Sequence, residues 1–356
     1  MKRVLPPIVV FLLHRGLLAA SAWICGYAPF DPASYSRWDS SFYLDIAARG
    51  YVPIYPCPPE SHYPATAWCG NAGWFPGFPL VLRLTGLAPD AAAFVLCAAA
   101  ELGSLLLLWR YIDDDSQMAA LALAGFFPGN VYFAALFPIS PFLFAVLTCL
   151  GATWSRRYTL AAAAGAFAAM CHPTGILTAV VLLSWAVVRR RWAAIFVAAA
   201  VAAGYGVVLL IMHHEAGGWD AYFKVQAKYG YHIGPVMDVL LAHLKPLVNQ
   251  RYRDMKGVVT AFQTLACLVL VASAAYRARS YAASDRELLA LIYVAIYWLA
   301  PLALGGNLAL YRSEALLLPA VVLVPRLPRA TQIAFLIANT VLTIPMAILF
   351  FRSVLV

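Results

Sequence analysis

The residues that could do chemistry are concentrated in one stretch, SRWDSSFYLDIAARGY (residues 36–51). Asp39 follows Trp38 directly and precedes a run in which apolar residues recur at helical spacing. A carboxylate fixed there could take a proton from a hydroxyl group and act as a general base. The alternative is structural, with Asp39 capping the helix through backbone N–H bonds and Trp38 anchoring it at an interface. The two interpretations are compatible, because capping would also fix the carboxylate in place.

The rest of this stretch predicts a helix of about three turns. Asp45 and Arg49 form an i,i+4 pair in the favoured order, and Gly50 is suited to end the helix. Asp45 is therefore a candidate second carboxylate for substrate contact, and the alternative is a simple ion pair with Arg49.

Four other residues are candidate substrate contacts, and each has a structural alternative. Arg312 could bind a phosphate, or reach the interface from a helix end. His172, just before Pro173, could contact a ligand or only make interfacial hydrogen bonds. Arg15 lies inside the first apolar segment, where an ionisable residue suggests function, and could face a cavity or pair with Asp39 or Glu101. Its alternative is that the span begins later and Arg15 lies nearer the cytoplasmic interface. Together with Trp38 and Asp45, the candidate substrate-binding residues are Arg15, Phe75, His172 and Arg312.

Phe75 belongs to the aromatic and proline-rich segment AGWFPGFPLVL (residues 72–82). Its ring could bound a substrate, but prolines without backbone donors and a flexible glycine also fit a re-entrant turn. The sequence favours the structural role for the segment as a whole.

A metal site is not expected. His213, His214 and Glu215 are adjacent, but they lack the H-E-x-x-H spacing that places two histidines on one helix face. No Cys-x-x-Cys or Cys/His zinc spacing occurs in the sequence.

The elements that must position these residues are membrane helices. The chain of 356 residues is 63% hydrophobic and 12% charged, whereas soluble domains are about 45–50% apolar and about 25% charged. The apolar residues form blocks of roughly 16–23 residues, long enough to span a bilayer. We therefore expect one all-α polytopic membrane domain, residues 1–356, with about eleven spans. The predicted spans are 5–27, 88–110, 117–135, 139–154, 158–171, 174–188, 192–213, 257–276, 288–304, 309–325 and 331–351.

Charge sets the predicted orientation. The formal net charge of +9 comes largely from short linkers between apolar blocks, such as the one containing Arg189, Arg190 and Arg191. Counted from a cytoplasmic N-terminus, these linkers all fall on the cytoplasmic side, so the charge follows the positive-inside rule and does not indicate nucleic-acid binding. We expect a retained first helix, because His14 and Arg15 interrupt a signal-peptide pattern.

Two long loops, residues 28–87 and 214–256, are then predicted to lie together on the extracytoplasmic face. Both contain aromatic residues at amphipathic spacing, which indicates helices lying in the interface. Cys57 and Cys69 share the first of these loops, where a disulfide is permitted but not required.

Two linked motifs give a resemblance to a known family. RWDSSFYLDIAARGY followed by WFPGFPLVL resembles the PIG-V family, the second mannosyltransferase of GPI-anchor assembly, and its bacterial relatives. The matching residues are Trp38, Asp39, Tyr43, Leu44, Ile46, Ala47, Gly50 and Tyr51 in the first motif and 75–80 in the second. The similarity covers about the first 180 residues, with Pro141 at the family's acidic position and His172 where its arginine stands.

The resemblance implies an inverting glycosyltransferase of the GT-C fold, with Asp39 at the position of the catalytic aspartate. It implies a polyprenyl-phosphate sugar, commonly mannose, as donor, and transfer to an acceptor hydroxyl at the extracytoplasmic face. The acceptor could be a glycan, a glycolipid or a protein. No cofactor is expected, and a divalent metal is not required, since the phosphate already departs as an anion. Alanine richness suggests the inner membrane of a bacterium, with membrane lipids as the other partners.

The competing hypothesis is a polytopic lipid or sugar transporter or flippase without transferase activity. A transporter predicts charges near the middle of several spans and repeated halves. The sequence has one such charge, Arg15, with Glu101 as a possible second, and no internal repeat.

Overall fold

The structure is a bundle of α-helices with almost no β-structure, as the sequence predicts. The computed structural model describes residues 4–112, 116–280, 284–305 and 309–355, and 74% of it is helix. The α-helices in these ranges are α1 Leu5–Ile24, α2 Ser40–Arg49, α3 Gly77–Leu84, α4 Pro89–Tyr111, α5 Gln117–Gly125, α6 Ile139–Trp154, α7 Tyr158–Cys171, α8 Leu177–Arg189, α9 Ala193–Glu215, α10 Ala221–Ala227, α11 Val236–Val248, α12 Met255–Ser280, α13 Asp285–Ala303, α14 Leu310–Ser313 and α15 Arg329–Phe351.

The chain has the helices of a membrane protein. Among the described residues, six helices are long and apolar enough to cross a membrane: α1, α4, α9, α12, α13 and α15. The shorter helices α6 and α7, and the segment 173–189 that contains α8, are also apolar. The predicted number of eleven spans stays a prediction.

The predicted span 117–135 is broken in the structure. Helix α5 ends at Gly125, and Gly129 adopts a left-handed conformation with φ of 73° before the 3-10 turn Asn130–Phe133. Pro128 has no N–H to continue the helix, and glycine takes positive φ at little cost. The whole segment 127–143 is buried inside the bundle. Irregular backbone at membrane depth is tolerated where it faces protein rather than lipid.

The predicted span 309–325 also departs from a regular α-helix. It consists of α14 followed by a long 3-10 segment, Glu314–Arg326, whose residues up to Val324 are buried. Pro319 and Pro325 lie inside the 3-10 segment and cannot donate backbone hydrogen bonds. This segment packs against α13 and α5 and forms part of the core next to α14.

The two long loops lie against each other in the structure. The backbone N–H of Ile54 donates to the carbonyl of Ala216 at 3.1 Å. The side-chain amide of Gln226 donates to the carbonyl of Gly73 at 2.9 Å. The first loop contains α2, α3 and a small antiparallel pair, β1 Tyr55–Pro56 with β2 Trp68–Cys69. The second loop contains α10 and α11.

A disulfide joins Cys57 to Cys69 across the β1–β2 pair, with the two Cα atoms 4.9 Å apart. Since the loop is expected outside the cytoplasm, a membrane-impermeant maleimide should label these cysteines in intact cells only after reduction. The measurement is the mass shift of the labelled protein on a gel. It uses a Cys25→Ser background, because Cys25 is the one free cysteine among the described residues that is not buried. Labelling without reduction would contradict the bond, and labelling only after lysis would contradict the sidedness.

Helix α3 is held against α7 by backbone contact at Gly77. A Cβ at Gly77 would lie 2.7 Å from the carbonyl carbon of Met170, so the backbones of α3 and α7 would have to move apart. Gly77→Ala should therefore lower the unfolding free energy by about 1–3 kcal/mol. Thermal unfolding in detergent measures this loss of stability. Gly206→Ala in α9 is the matched control. Its added Cβ would meet no atom within 4 Å, so it should be neutral or stabilising. Equal melting temperatures for the two variants would contradict the close approach.

Candidate active site

Asp39 lies at the start of α2 but does not cap it. Its position is that of the N-cap residue, yet its carboxylate makes no hydrogen bond to the first turn of the helix. Instead it forms an ion pair with the guanidinium of Arg312 in α14. The predicted capping role of Asp39 is wrong. A charged partner brought in by the fold outcompetes weak neutral N–H donors, because charge-assisted hydrogen bonds are about twice as strong.

Arg312 is surrounded by aromatic rings. Its guanidinium carbon lies 5.9 Å from the ring centre of Trp38, 5.7 Å from that of Tyr132 and 5.6 Å from that of Phe137. Such distances allow cation–π attraction, which strengthens as water is excluded. The three rings therefore help to hold the Arg312 guanidinium in the position where it pairs with Asp39.

The ion pair remains accessible from outside. The Arg312 side chain is 22% exposed and that of Asp39 is 30% exposed. The Nε atom of Arg312 is buried and finds no hydrogen-bond acceptor among the described residues. Arg312 thus retains capacity for a further anionic group.

Trp38 connects this pair to the bundle. It adopts a positive φ of 46°, which is uncommon for a residue with a side chain and indicates a conformation imposed by its surroundings. Its ring lies 5.5 Å from that of Phe350 in α15, edge to face. The chain turns at Trp38, and the next residue, Asp39, contacts Arg312.

His172 also belongs to this site. It follows α7, accepts a hydrogen bond from the backbone N–H of Thr174, and lies within electrostatic reach of Asp39 and Arg312. Its Nδ1 lies 2.8 Å from the Thr174 hydroxyl oxygen. The predicted residues Trp38, Asp39, His172 and Arg312 are thus brought together from three separate parts of the chain.

The second long loop adds two tyrosines to the same site. Burial raises the pKa of the Tyr231 hydroxyl, while the nearby Arg312 lowers it and Asp39 raises it. Burial also raises the pKa of Tyr229, with further contributions from Tyr63 and Asp39. Tyr229 and Tyr231 of the second long loop therefore lie within electrostatic range of Asp39 in the first.

Arg15 does not join this pair. It binds Glu101, with Nε 2.8 Å from one carboxylate oxygen, and it donates to the carbonyl of Phe133 at 3.4 Å. His14 Nδ1 lies 2.5 Å from the other oxygen of Glu101. Of the two partners predicted for Arg15, the structure selects Glu101 over Asp39, inside the bundle between α1 and α4.

Asp45 and Phe75 lie apart from the pair as well. Asp45 bonds to Arg49, with Nε 2.6 Å from its carboxylate, and receives a hydrogen bond from Asn71. Phe75 is fully buried, with its ring 5.5 Å from Tyr205 and 5.1 Å from Tyr222. Both therefore fix the first loop in the structure, which matches the structural alternatives for them.

Sequence reasoning missed four aromatic residues of the site: Tyr132, Phe137, Tyr229 and Tyr231. Tyr132 lies in the predicted span 117–135 and Phe137 in the turn that follows it, a region that Pro128 and Pro138 interrupt. The signal that could have found them is the combination of Gly129 with Pro128 and Pro138, which marks a break inside the bundle.

The arrangement combines a carboxylate, a guanidinium and aromatic walls at the mouth of a helical bundle. It can hold an anion beside a base, with rings to bound a neutral ligand. Among the described residues, no group of three or more His, Cys, Asp or Glu side chains could hold a metal ion. His213 stacks on Trp219 with the rings 4.4 Å apart.

Comparison with protein-family models and with curated proteins found no match to this chain.

Proposed function

We propose that the chain is an inverting glycosyltransferase that moves a hexose from a polyprenyl phosphate to an acceptor hydroxyl. Mannose is the sugar we propose. The observation that carries this proposal is the partly exposed ion pair between Asp39, in the first long loop, and Arg312. A general base and a phosphate-binding cation side by side are the two groups this transfer needs.

In the proposed reaction the acceptor oxygen attacks the anomeric carbon of the donor sugar. Asp39 takes the proton of the acceptor hydroxyl as the new carbon–oxygen bond forms. The bond from the anomeric carbon to the phosphate oxygen breaks, and its electron pair leaves with the polyprenyl phosphate. Attack from the face opposite the phosphate inverts the anomeric centre. Arg312 stabilises the negative charge that grows on the departing phosphate.

The ion pair also explains how the site avoids an unpaired charge on Arg312 before the donor binds. With no donor bound, Arg312 is neutralised by Asp39. A donor phosphate that binds Arg312 competes with the carboxylate, which is then released to act as a base. A guanidinium carries five N–H donors, so Arg312 can bind the phosphate through more than one of them.

We place this site on the extracytoplasmic face of a bacterial inner membrane. The support is the loop position relative to the basic linkers. A lipid-linked donor would enter from the bilayer, with its head group reaching the loops. The acceptor class stays open among glycan, glycolipid and protein, and the proposed mechanism uses no divalent metal.

A transporter or flippase is the second candidate, favoured by one observation. His14 and Glu101 are buried near the middle of α1 and α4, and Glu101 forms an ion pair with the half-buried Arg15. Movement of a labelled lipid across proteoliposomes, without formation of a glycosidic bond, would favour this alternative over transfer.

Replacing the base tests the proposed reaction directly. Asp39→Asn should lower transfer by roughly a hundredfold or more, because the amide cannot accept the acceptor proton. The assay adds radiolabelled polyprenyl-phosphate mannose to membranes of cells whose own copy carries the change, and counts label leaving the donor. Asp31→Asn is the matched control, since its side chain only accepts a bond from the Ala33 N–H and asparagine can do the same. Unchanged transfer in Asp39→Asn would remove the base assignment.

Replacing the cation tests the phosphate role. Arg312→Ala should raise the donor KM by roughly tenfold to a hundredfold, as expected for the loss of hydrogen bonds to a charged group. The donor KM of Arg312→Lys should lie between those of the wild type and Arg312→Ala, because lysine keeps the charge but loses the planar fork of donors. Initial rates at varied donor concentration measure this. A normal donor KM in Arg312→Ala would exclude phosphate binding at this residue.

A further inference from the structure

Gln263 is a buried amide in a span that carries no residue of the site. It lies in α12 and is 1% exposed. An amide inside an apolar bundle is costly unless its hydrogen bonds are satisfied. The hydrogen-bond partners of Gln263 therefore indicate its role.

The amide is satisfied at both ends by segments that lead to the site. Its Oε1 accepts from the backbone N–H of Gly129 at 3.0 Å. Its Nε2 donates to the carbonyl of Tyr311 at 2.8 Å and to the carboxylate of Glu314 at 2.6 Å. The orientation of the amide is fixed by these partners, because an N–H can only donate and a carbonyl can only accept.

These two segments carry Arg312 and one of the rings that flank it. Gly129 begins the turn that presents Tyr132, and Tyr311 directly precedes Arg312. They approach closely: a Cβ at Gly129 would lie 3.0 Å from the Tyr311 carbonyl oxygen and 2.9 Å from the Cβ of Ala315. The amide of Gln263 thus sets the spacing between the Tyr132 turn and α14.

We propose that Gln263 is a positioning residue that holds the Arg312 guanidinium against Tyr132 in the geometry that receives the donor phosphate. It touches neither donor nor acceptor and acts only through Arg312. This inference rests on the proposed function, in which Arg312 binds the phosphate. Without the amide, two buried turns lose their common partner and α14 can shift relative to the rings.

The test uses Gln263→Met, which keeps the length of the side chain and removes both hydrogen-bonding ends. With the assay described above, the donor KM should rise by roughly threefold to tenfold, the loss expected for about one hydrogen bond. The kcat should change less. In an Arg312→Ala background the same change should add nothing to the donor KM, because the group that Gln263 positions is gone.

Gln332→Met is the matched control. Gln332 is also buried, and its amide donates to the Leu327 carbonyl at 2.8 Å and to Ser116 at 3.1 Å, away from the site. It should leave the donor KM unchanged, although it removes a similar buried amide. An equal rise in Gln332→Met, a normal donor KM in Gln263→Met, or additivity with Arg312→Ala would overturn the inference.

Two further measurements separate this inference from the proposed function. If Gln263→Met fails to fold, Gln263→Glu keeps the acceptor for Gly129 but sets an oxygen against Tyr311 and Glu314, and should raise the donor KM in the same way. If the wild type moves no label, the proposed function fails. Thermal stabilisation of the purified protein by polyprenyl phosphate then decides whether Gln263→Met weakens the Arg312 site. Equal stabilisation of wild type and variant would reject the positioning role.

Discussion

The ion pair between Asp39 and Arg312 is the interaction around which the candidate site is organised. It joins two residues 273 positions apart in the chain and lies among aromatic rings. A partly buried charge is costly on its own, so each residue depends on the other. Because the pair is still partly exposed, an incoming anion can replace the carboxylate. One contact thus fixes α2 against α14 and keeps the base and the cation adjacent.

The pair is possible because the bundle contains irregular backbone that is satisfied from within. The turn around Gly129 and the segment after α14 would be costly in lipid, since their backbone groups lack regular helical partners. Gln263 satisfies two of these groups, and Ser140 donates to the Phe133 carbonyl at 2.7 Å. Polar side chains on neighbouring helices therefore stabilise the broken segments that hold the site.

The buried cluster of His14, Arg15 and Glu101 touches the same broken segment. Arg15 shares the Phe133 carbonyl with Ser140, one residue from Tyr132. A small cavity beside it is lined by Glu101, Ser104, Ser140 and Leu318. Charges inside the bundle are thus paired with each other and with backbone, which is the condition under which they persist at membrane depth.

Local pattern in the sequence determined several features of this protein. Composition and apolar periodicity specify an all-α membrane protein, and charge placement predicts that the two long loops share a face. The spacing of residues 40–50 gives α2, the Asp45–Arg49 pair and the ending at Gly50, because these depend on neighbours within one or two turns. Asp39 could be selected as a candidate for the same reason, since its position directly before α2 can be read from the neighbouring residues.

Only the tertiary structure decided which partners these residues have. Local spacing predicts a cap for Asp39, but the fold brings Arg312 to it, and a full charge is a stronger partner than a backbone N–H. The choice of Glu101 for Arg15, the burial of Phe75 and the role of Gln263 likewise depend on contacts between distant segments. Periodicity carries information about one face of one helix. Which faces meet, and where a helix breaks so that a turn can present a side chain, is set by packing and hydrogen bonding across the whole bundle.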